Sequence, residues 1–541
     1  MHQWIMDWVV VILDMNTTQA NRTIVYLGLF GLIITLHFSG IGKLSIYALD
    51  EAKNAVAAYE MSERADYILP TFNGEPRYDK PPLHYYFFML GYKIFGYTPF
   101  GARFFSAIAG LFCIGICAGF LKEQFGHRIT YIFLFLIAGN IHWMVQFHMA
   151  VPDPFLVAFL TTAYLYGFRY YQSNYSQTKY QYYSYISLGL AVLSKGPVAL
   201  LLYMITFILF MLIQKRFSLK PWFRILPLTL FILIASSWYV IVGWKTGGNW
   251  LEEFFLTHNL SRFGSAMEGH GGSFLKTWLF VAVGTFPFIV FLPRAINRIF
   301  IKNRKESVDG NNFLSFAALA FLIIILFFSF ASTRLPNYTV PAYPWFFMIM
   351  AVYLERIKSI NQIYWLWGIS ALFVLLISVG GYFGLAQTPY LSEHRSLALY
   401  FLLAVIPLVL SIKFILKRQM LMAYAGISFC YSTMTLVFFL WVMPVLDQKN
   451  PVYLTKSIWK NQDRISYYEI ANPAFVFYLQ RPIPPFNPSE VQAGDLVISR
   501  KKQLQKLASE GFSFETLAEE NDLFESPITV IVRMNPPFPD N

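Results

Sequence analysis

Long apolar runs without charge constrain this chain more than any other feature. The run 313–331 holds nineteen residues and no charged side chain, which is long enough to cross the hydrocarbon core of a bilayer. Of all 541 residues, 56% are hydrophobic and only 13% are charged, a balance more apolar than a soluble core requires. The runs show no strict alternation, so they predict helices rather than a barrel. The sequence therefore predicts a polytopic α-helical membrane protein.

The lengths of these runs predict about thirteen transmembrane helices. The predicted spans are 22–42, 101–121, 127–147, 151–170, 181–195, 197–214, 223–243, 275–293, 313–331, 338–355, 362–384, 397–416 and 421–445.

Lysine and arginine concentrate in alternate loops between the predicted spans. The loops 122–128, 215–224, 294–305 and 413–418 are basic, and basic loops stay on the cytoplasmic side. The loop 41–100, called the first loop below, and the tail after Pro444 then fall outside the cytoplasm. Much of the net charge of +12 reflects this topology, so we expect no nucleic-acid partner.

The composition changes in the tail. Residues 447–541 contain short apolar strands, "DLVIS" and "ITVIV", and a helix-like "KKQLQKLASE", which predict a small extracytoplasmic α/β domain. Residues 1–446 form the predicted transmembrane domain.

The first loop is too long to be a simple connection between adjacent spans. It contains "LDEAKNAVAAYEM", which predicts an amphipathic helix lying along the membrane surface. Asp50 and Glu51 begin this helix. Ionisable residues between apolar spans indicate a functional site, but Asp50 would also serve as a helix N-cap and Glu51 would favour the helix dipole.

The same loop contains "RYDKPPLHYY", which adds Asp79 and Lys80. Two prolines follow Lys80; they stiffen the backbone and set the direction of the ammonium group. The alternative is that Lys80 extends into the lipid headgroups.

Other predicted outer loops supply further candidates. His258 and Arg262 lie four residues apart in "THNLSRF", and Arg334 and Tyr338 lie in "STRLPNYTVPAYP". Arg262 would also pair with a lipid phosphate, and Tyr338 would serve as an interfacial anchor. Asp153, between two prolines, has no neighbouring cation in sequence, so it is either a site residue or a helix cap.

The ordered motifs resemble those of a known family. They are "LDEAKNAVAAYEM", "NGEPRYDKPPLHYY", "MAVPDPFLVAFLTTAYLYGF", "GLAVLSKGPVALLL", "FFLTHNLSRFGSAMEGHGGSFL" and "STRLPNYTVPAYP". The set is similar to the GT-C glycosyltransferases, above all the undecaprenyl-phosphate aminoarabinose (lipid A) transferases, with the dolichyl-phosphate-mannose protein mannosyltransferases as wider relatives. That family has thirteen helices and a small C-terminal periplasmic domain.

The resemblance implies roles for residues of this chain. The acidic pair of the family falls on Asp50 and Glu51, and its later aspartate on Asp153; these are the predicted catalytic residues. The phosphate-binding residues fall on Lys80, Arg262 and Tyr338. The remaining candidates for the site are Lys53, Asp79, His258 and Arg334.

Three positions depart from the family pattern. Lys53 and Asn54 replace its usual arginine and tyrosine, and Asp79 stands where glutamate is common. These departures bear on the sugar and the acceptor more than on the reaction class.

The expected activity is transfer of a sugar from a polyprenyl-phosphate donor to a glycolipid, glycan or protein acceptor, with inversion. The cations would stabilise the phosphate leaving group, and Asp50 would orient or deprotonate the acceptor. No cofactor is required, although a divalent cation between the carboxylates is an open alternative. We expect a bacterial inner membrane location with the site facing the periplasm. The alternative function is a flippase or transporter of lipid-linked sugars.

Overall fold

Helices make up most of the protein in a computed structural model, which describes residues 19–260, 272–299, 309–357, 359–524 and 527–536. The α-helices are α1 (Gln19–Phe38), α2 (Leu49–Glu63), α3 (Leu83–Phe95), α4 (Pro99–Phe125), α5 (His127–Ala138), α6 (Ile141–Phe147), α7 (Asp153–Gln172), α8 (Thr178–Lys195), α9 (Val198–Ile213), α10 (Ile225–Lys245), α11 (Asn249–Glu252), α12 (Leu275–Gly284), α13 (Leu292–Asn297), α14 (Asp309–Phe330), α15 (Tyr343–Glu355), α16 (Trp365–Gln387), α17 (Val405–Leu416), α18 (Met420–Val437), α19 (Met443–Asp447), α20 (Pro451–Leu454), α21 (Lys456–Trp459), α22 (Ala474–Leu479) and α23 (Lys501–Ser509).

Short 3₁₀ and π-helical segments continue or connect several of these helices. The 3₁₀ segments are Lys220–Phe223, Phe288–Phe291, Pro336–Ala342, Ile360–Gln362 and Pro389–Ala404, and the π segments are Glu253–Leu260 and Phe438–Val442. The strands are β1 (Thr71–Phe72), β2 (Glu75–Pro76), β3 (Ile465–Tyr467), β4 (Leu496–Arg500), β5 (Phe514–Asn521) and β6 (Ile528–Met534).

Six helical stretches in the described residues are long and apolar enough to cross a membrane. Two bent pairs raise the number to eight if each is one span: α5 with α6, bent by 70°, and α12 with Phe288–Asn297, bent by 113°. These pairs coincide with two of the predicted spans. The polytopic helical membrane fold is therefore confirmed, while the number of thirteen spans stays a prediction.

Helix α2 forms in the first loop where the sequence predicts it, but it does not expose one whole face. Nine of its fifteen residues are buried, because its alanines let α3 and α22 pack closely on both sides. A two-stranded hairpin, β1–β2, follows α2 with the register Phe72↔Glu75. Its turn consists of Asn73 and Gly74, both with positive φ, as a tight two-residue hairpin requires.

The strands and the helix predicted in the tail are present as β4, β6 and α23. They belong to a four-stranded sheet with the order β3-β4-β6-β5, in which β3 is parallel to β4 and the other pairs are antiparallel. Successive side chains of a strand point to opposite faces. Ile498 of β4 accordingly joins the main core with the membrane helices, whereas Val497 packs in a second cluster with Leu507 of α23. The sheet thus lies between the helical bundle and α23.

Two ion pairs between charged residues mark the two ends of the helical bundle. At one end Arg128 of the predicted cytoplasmic loop 122–128 pairs with Glu355, the last residue of a predicted span, at 2.8 Å. At the other end Lys245 pairs with Asp66 of the first loop at 2.7 Å. This grouping agrees with the alternation of basic loops along the sequence.

We expect the first loop and the tail to react with a membrane-impermeant maleimide in whole cells. Single cysteines replace the exposed residues Glu75 and Ser489, and Asn297→Cys serves as the cytoplasmic control, reactive only after permeabilisation. The three native cysteines are buried and give a low background. Labelling of the Asn297 variant alone in intact cells would reverse the topology.

Candidate active site

The charged residues of the first loop converge on Asp50. Its side chain is half exposed, and its Oδ1 lies 3.8 Å from Lys80 Nζ and 3.6 Å from Arg77 Nη2. Two carboxylates and two cations meet here, since Asp79 pairs with Arg77 as well. Asp50, Asp79 and Lys80, which were predicted from the two motifs, therefore lie in one cluster with Arg77.

Asp50 is not a helix N-cap. Ala48 occupies that position and α2 has no side-chain capping hydrogen bond, so the capping alternative is wrong. Asp50 lies in the first turn of α2, where its charge interacts favourably with the helix dipole. Its half-exposed carboxylate is thus open to an incoming group.

Arg77 organises the cluster, although the sequence analysis assigned it no role. Its Nε and Nη2 donate to the two Asp79 carboxylate oxygens at 2.6 and 3.0 Å, and Nη2 also donates to Asn54 Oδ1 at 3.1 Å. Burial alone would lower the pKa of Arg77, but the Asp79 carboxylate, with smaller contributions from Tyr85 and Asp50, raises it. Arg77 is therefore a permanent cation. Its position at the start of "RYDKPPLHYY" was the only available signal.

Four polar atoms around Arg77 are buried without a hydrogen-bond partner among the residues that the structure describes. They are Arg77 Nη1, Asn54 Nδ2, His84 Nδ1 and the Tyr85 hydroxyl. His84 Nε2 approaches Asn54 Oδ1 at 3.4 Å. Burial, reinforced by the charges of Lys80 and Arg77, holds the pKa of His84 well below its ordinary value. His84 is therefore neutral at pH 7 and adds no charge to the cluster.

Lys80 does not extend into the headgroup region. Its residue is only 9% exposed, which argues against the headgroup alternative. The two prolines after Lys80 precede α3 directly and hold the lysine backbone at the start of that helix. The ammonium group is therefore directed toward Asp50.

Glu51 points away from Asp50 and is enclosed in the bundle. Arg103 of α4 donates to both of its carboxylate oxygens, at 2.7 and 2.8 Å, and the Ala150 N–H donates to Oε1 at 2.7 Å. Arg103 also donates to the carbonyls of Ile41, Leu44 and Ser45. These contacts favour a structural role for Glu51, and its catalytic role stays a prediction.

Asp153 pairs with Lys195, a cation that the sequence analysis did not identify as its partner. Lys195, at the end of α8, donates to Asp153 Oδ1 at 2.5 Å, and Asn337 Nδ2 donates to the same oxygen at 3.2 Å. Asp153 is 1% exposed and makes no capping hydrogen bond. Its alternative role as a cap is therefore wrong. Lys195 occurs in the motif "GLAVLSKGPVALLL", which gave no hint that it faces Asp153.

Tyr338 lies beside this pair. The ammonium of Lys195 is 4.8 Å from the centre of the Tyr338 ring, a distance typical of a cation–π contact. The ring also packs against Phe328. Ala150, three residues before Asp153, donates its N–H to Glu51, the neighbour of Asp50 in sequence.

The remaining predicted residues differ in how they are placed. The guanidinium of Arg334 donates to the Ser329 carbonyl at 3.0 Å, near the end of α14, so it satisfies a helix terminus. Lys53 is partly exposed on α2. Arg262 lies outside the described residues, as does the side chain of His258, and their roles stay predictions.

Metal binding at this site stays an open alternative. Within the described ranges, no group of three His, Cys, Asp or Glu side chains is arranged to hold a metal ion. The carboxylates of Asp50 and Asp79 already contact the cations Arg77 and Lys80. A divalent cation would have to compete with these two side chains for the carboxylates.

An apolar cavity of about 740 Å³ opens near the segment that carries Asn337 and Tyr338. Phe286, Phe373 and Tyr431 line it within the bundle, and Phe524 of the tail lines it at the other end. Pro336 also lines it and is next but one to Tyr338 in sequence. The side chains that line the cavity are thus almost wholly apolar.

Comparisons with known proteins identify sequences and a solved structure that this chain resembles. Residues 79–241 match the family model of dolichyl-phosphate-mannose-protein mannosyltransferase. An undecaprenyl phosphate-alpha-4-amino-4-deoxy-L-arabinose arabinosyl transferase 2 from Proteus mirabilis is 25% identical over 63% of this chain, a match that spans 60% of the relative's length. An uncharacterized protein of Aquifex aeolicus is 26% identical over 77% of this chain and 78% of its own.

The fold has a close counterpart among solved structures. ArnT from Cupriavidus metallidurans, bound to undecaprenyl phosphate, superimposes with a TM-score of 0.78 at 17% identity, covering 94% of this chain and 98% of that one. This structure shows the fold, and together with the sequence matches above it confirms the resemblance to the GT-C glycosyltransferases and, among them, to the aminoarabinose transferases.

Replacing Arg103 with alanine should destabilise the protein strongly. It leaves the buried Glu51 carboxylate unpaired, which costs about 3–5 kcal/mol. Thermal unfolding in detergent measures the effect. Arg128→Ala removes the more exposed pair with Glu355 and should cost no more than about 1 kcal/mol. Equal unfolding temperatures for the two variants would contradict the structural role of the Glu51–Arg103 pair.

Proposed function

We propose that this protein is an integral membrane glycosyltransferase that moves a sugar from a polyprenyl-phosphate donor to an extracytoplasmic acceptor. The observation that carries the proposal is the cluster in which Lys80 and the half-exposed Asp50 lie 3.8 Å apart. The similarity to transferases that use lipid-linked sugars supports it.

The leaving group of such a reaction is a phosphate, which needs cations rather than a proton donor. Lys80 would bind the phosphate directly, because its ammonium lies 3.8 Å from the half-exposed Asp50 carboxylate, on the accessible side of the cluster. Arg262 and the hydroxyl of Tyr338 would complete the phosphate site. Charge-assisted hydrogen bonds of this kind are the strong ones and stabilise the charge that develops in the transition state.

Asp50 would act on the acceptor. Inversion requires the acceptor to attack the anomeric carbon from the face opposite the phosphate, and a carboxylate there can orient or deprotonate a hydroxyl. An acceptor that is itself a phosphate needs no base, and Asp50 would then position it electrostatically. The half exposure of Asp50 leaves room for either acceptor.

Asp153 would serve the reaction through Lys195. The carboxylate holds the ammonium over the Tyr338 ring, and this contact limits the orientations of the tyrosine. Asn337, bound to the same carboxylate oxygen, fixes the residue next to it. In this proposal Asp153 is a positioning residue rather than the general base.

The apolar cavity near Pro336 suits the isoprenoid tail of the donor. Its lining is almost wholly apolar, from Phe286, Phe373 and Tyr431 in the bundle to Phe524 in the tail. An isoprenoid chain entering from the bilayer would bring its phosphate toward the polar group that contains Tyr338.

Several finer features belong to the same proposal. The acceptor is a lipid A-like glycolipid, a glycan or a protein, and the active site faces the periplasm of a bacterial inner membrane. Residues 447–541 form the extracytoplasmic domain, and thirteen spans form the rest. The flippase alternative has the support of none of the relatives reported above and stays a prediction.

The decisive experiment compares envelope glycolipids and glycans from cells with and without this protein by mass spectrometry. We expect one sugar increment to disappear from one acceptor class when the protein is absent. Identical spectra, with the protein demonstrably expressed in the parent, would contradict the transferase.

Lys80→Ala should weaken both the binding of undecaprenyl phosphate and turnover, as should Arg262→Ala. Each variant loses one charge-assisted contact with the phosphate, which costs on the order of 1.5–3 kcal/mol. Affinity for undecaprenyl phosphate is measured on purified variants. Lys93→Ala, an exposed lysine of α3, is the matched control and should bind as the parent does. Parental affinity in the Lys80 and Arg262 variants would remove both residues from the phosphate site.

Asp50→Asn should lower turnover at least about a hundredfold, the lower limit for loss of a general base. The substitution keeps the shape of the side chain and removes its charge, so folding should persist. Glu63→Gln makes the same change at the exposed end of α2 and should leave turnover unchanged. Near-parental turnover in the Asp50 variant would refute its catalytic assignment.

A further inference from the structure

The hairpin β1–β2 is attached to the tail of the chain by a reciprocal pair of hydrogen bonds. Asn73 Nδ2 donates to the Ile483 carbonyl at 2.8 Å, and the Ile483 N–H donates to Asn73 Oδ1 at 2.7 Å. The two residues are 410 positions apart in sequence. We call this pair of bonds the Asn73–Ile483 clasp.

Local chemistry on both sides makes the clasp specific. Asn73 has a φ of +56°, a conformation that asparagine tolerates better than most residues, so the same residue forms the turn and supplies the amide. In the segment "RPIPPF", residues 482, 484 and 485 are prolines, which have no N–H. The Ile483 N–H is therefore the single main-chain donor between 482 and 485, and it binds Asn73.

The hairpin connects the clasp to the charged cluster. On one side the Gly74 N–H donates to Glu60 of α2 at 3.2 Å. On the other side the Arg77 N–H donates to the Pro70 carbonyl at 2.9 Å, which closes the base of the hairpin. Lys80 follows three residues later. A shift of the hairpin would therefore displace Arg77 and, through it, the segment that carries Lys80.

Two further contacts join the same parts of the molecule. The rings of Tyr97 and Phe477 have centroids 4.4 Å apart, and the Ile46 N–H donates to the Tyr478 hydroxyl at 3.0 Å. Both partners in the tail lie on α22. The tail therefore contacts the first loop before, within and after the charged cluster.

We propose that the segment after Asp447 positions Lys80 for the donor phosphate, and that Asn73 is the positioning residue through which it does so. This inference rests on the proposed function, since the phosphate is that of the polyprenyl donor. It assigns the tail a role in donor binding although the tail itself supplies no group to the reaction.

The test uses Asn73→Gly in the full-length protein. Glycine adopts positive φ without strain, so the turn is kept while both hydrogen bonds of the clasp are lost. The probe is undecaprenyl phosphate, and its Kd is measured on the purified protein. We expect binding about five- to thirtyfold weaker, as the loss of two ordinary hydrogen bonds would give, with the unfolding temperature near that of the parent.

A matched control comes from the opposite end of the bundle. Asn174 also has positive φ, +51°, and its side chain accepts a hydrogen bond from Arg216. Asn174→Gly makes the same chemical change in another turn and should leave the Kd unchanged. Asn73→Asp keeps the acceptor for the Ile483 N–H but sets a carboxylate oxygen against the Ile483 carbonyl in place of the donor, so it should also bind more weakly than the parent.

A double-mutant cycle separates positioning from general stability. If Asn73 acts through Lys80, Asn73→Gly should weaken binding little further once Lys80 is already alanine. Parental affinity in both Asn73 variants, or a full loss that repeats in the Lys80→Ala background, would overturn the inference. A parent protein that does not bind undecaprenyl phosphate would instead refute the proposed function.

Discussion

The buried ion pair between Glu51 and Arg103 sets the geometry on which the candidate site depends. Its two hydrogen bonds hold the first turn of α2 against α4. Successive residues of an α-helix point about 100° apart around its axis, so fixing Glu51 toward the bundle turns Asp50 toward the outside. Two adjacent carboxylates thereby acquire different environments, one enclosed and one half exposed.

The charged cluster at Asp50 is balanced before any ligand is bound. Arg77 is neutralised by the bidentate contact with Asp79, whereas Lys80 approaches Asp50 only at 3.8 Å. The two cations of the cluster thus contact different carboxylates most closely, Arg77 that of Asp79 and Lys80 that of Asp50. A phosphate placed there would bring the donor next to the carboxylate proposed to act on the acceptor.

The loops of one end of the bundle enclose the cluster together with the tail. Trp250, in the short helix α11, donates from its ring N–H to the Arg77 carbonyl at 2.9 Å. Ser45 donates to the buried carboxylate of Asp447 through both its N–H and its hydroxyl. Polar groups at the edge of a bilayer need such partners, because an unsatisfied buried group costs free energy. The same contacts that satisfy these groups also hold the site in shape.

Much of the architecture could be predicted from the sequence because it depends on local patterns. Apolar runs indicated helices in a membrane, "NG" suits the tight turn that the hairpin contains, and two short apolar runs in the tail indicated the strands β4 and β6. The motif order indicated the family, and it singled out Asp50 and Lys80, which the fold brings together. Their proximity could be expected from the sequence because the two residues are only thirty positions apart in the same loop.

The partners of the charged residues were decided by the tertiary structure alone. Lys195 meets Asp153 across 42 residues, Arg103 meets Glu51 across 52, and Asn73 meets Ile483 across 410. No local spacing encodes such pairs, since each depends on how distant helices and loops pack. By itself the sequence determined that the protein lies in a lipid bilayer, that it is helical, and which charged residues lie in the loops between the predicted spans. Only the packing decided that Glu51 is enclosed while Asp50 is exposed, because neighbouring residues on one helix differ only in what lies opposite them.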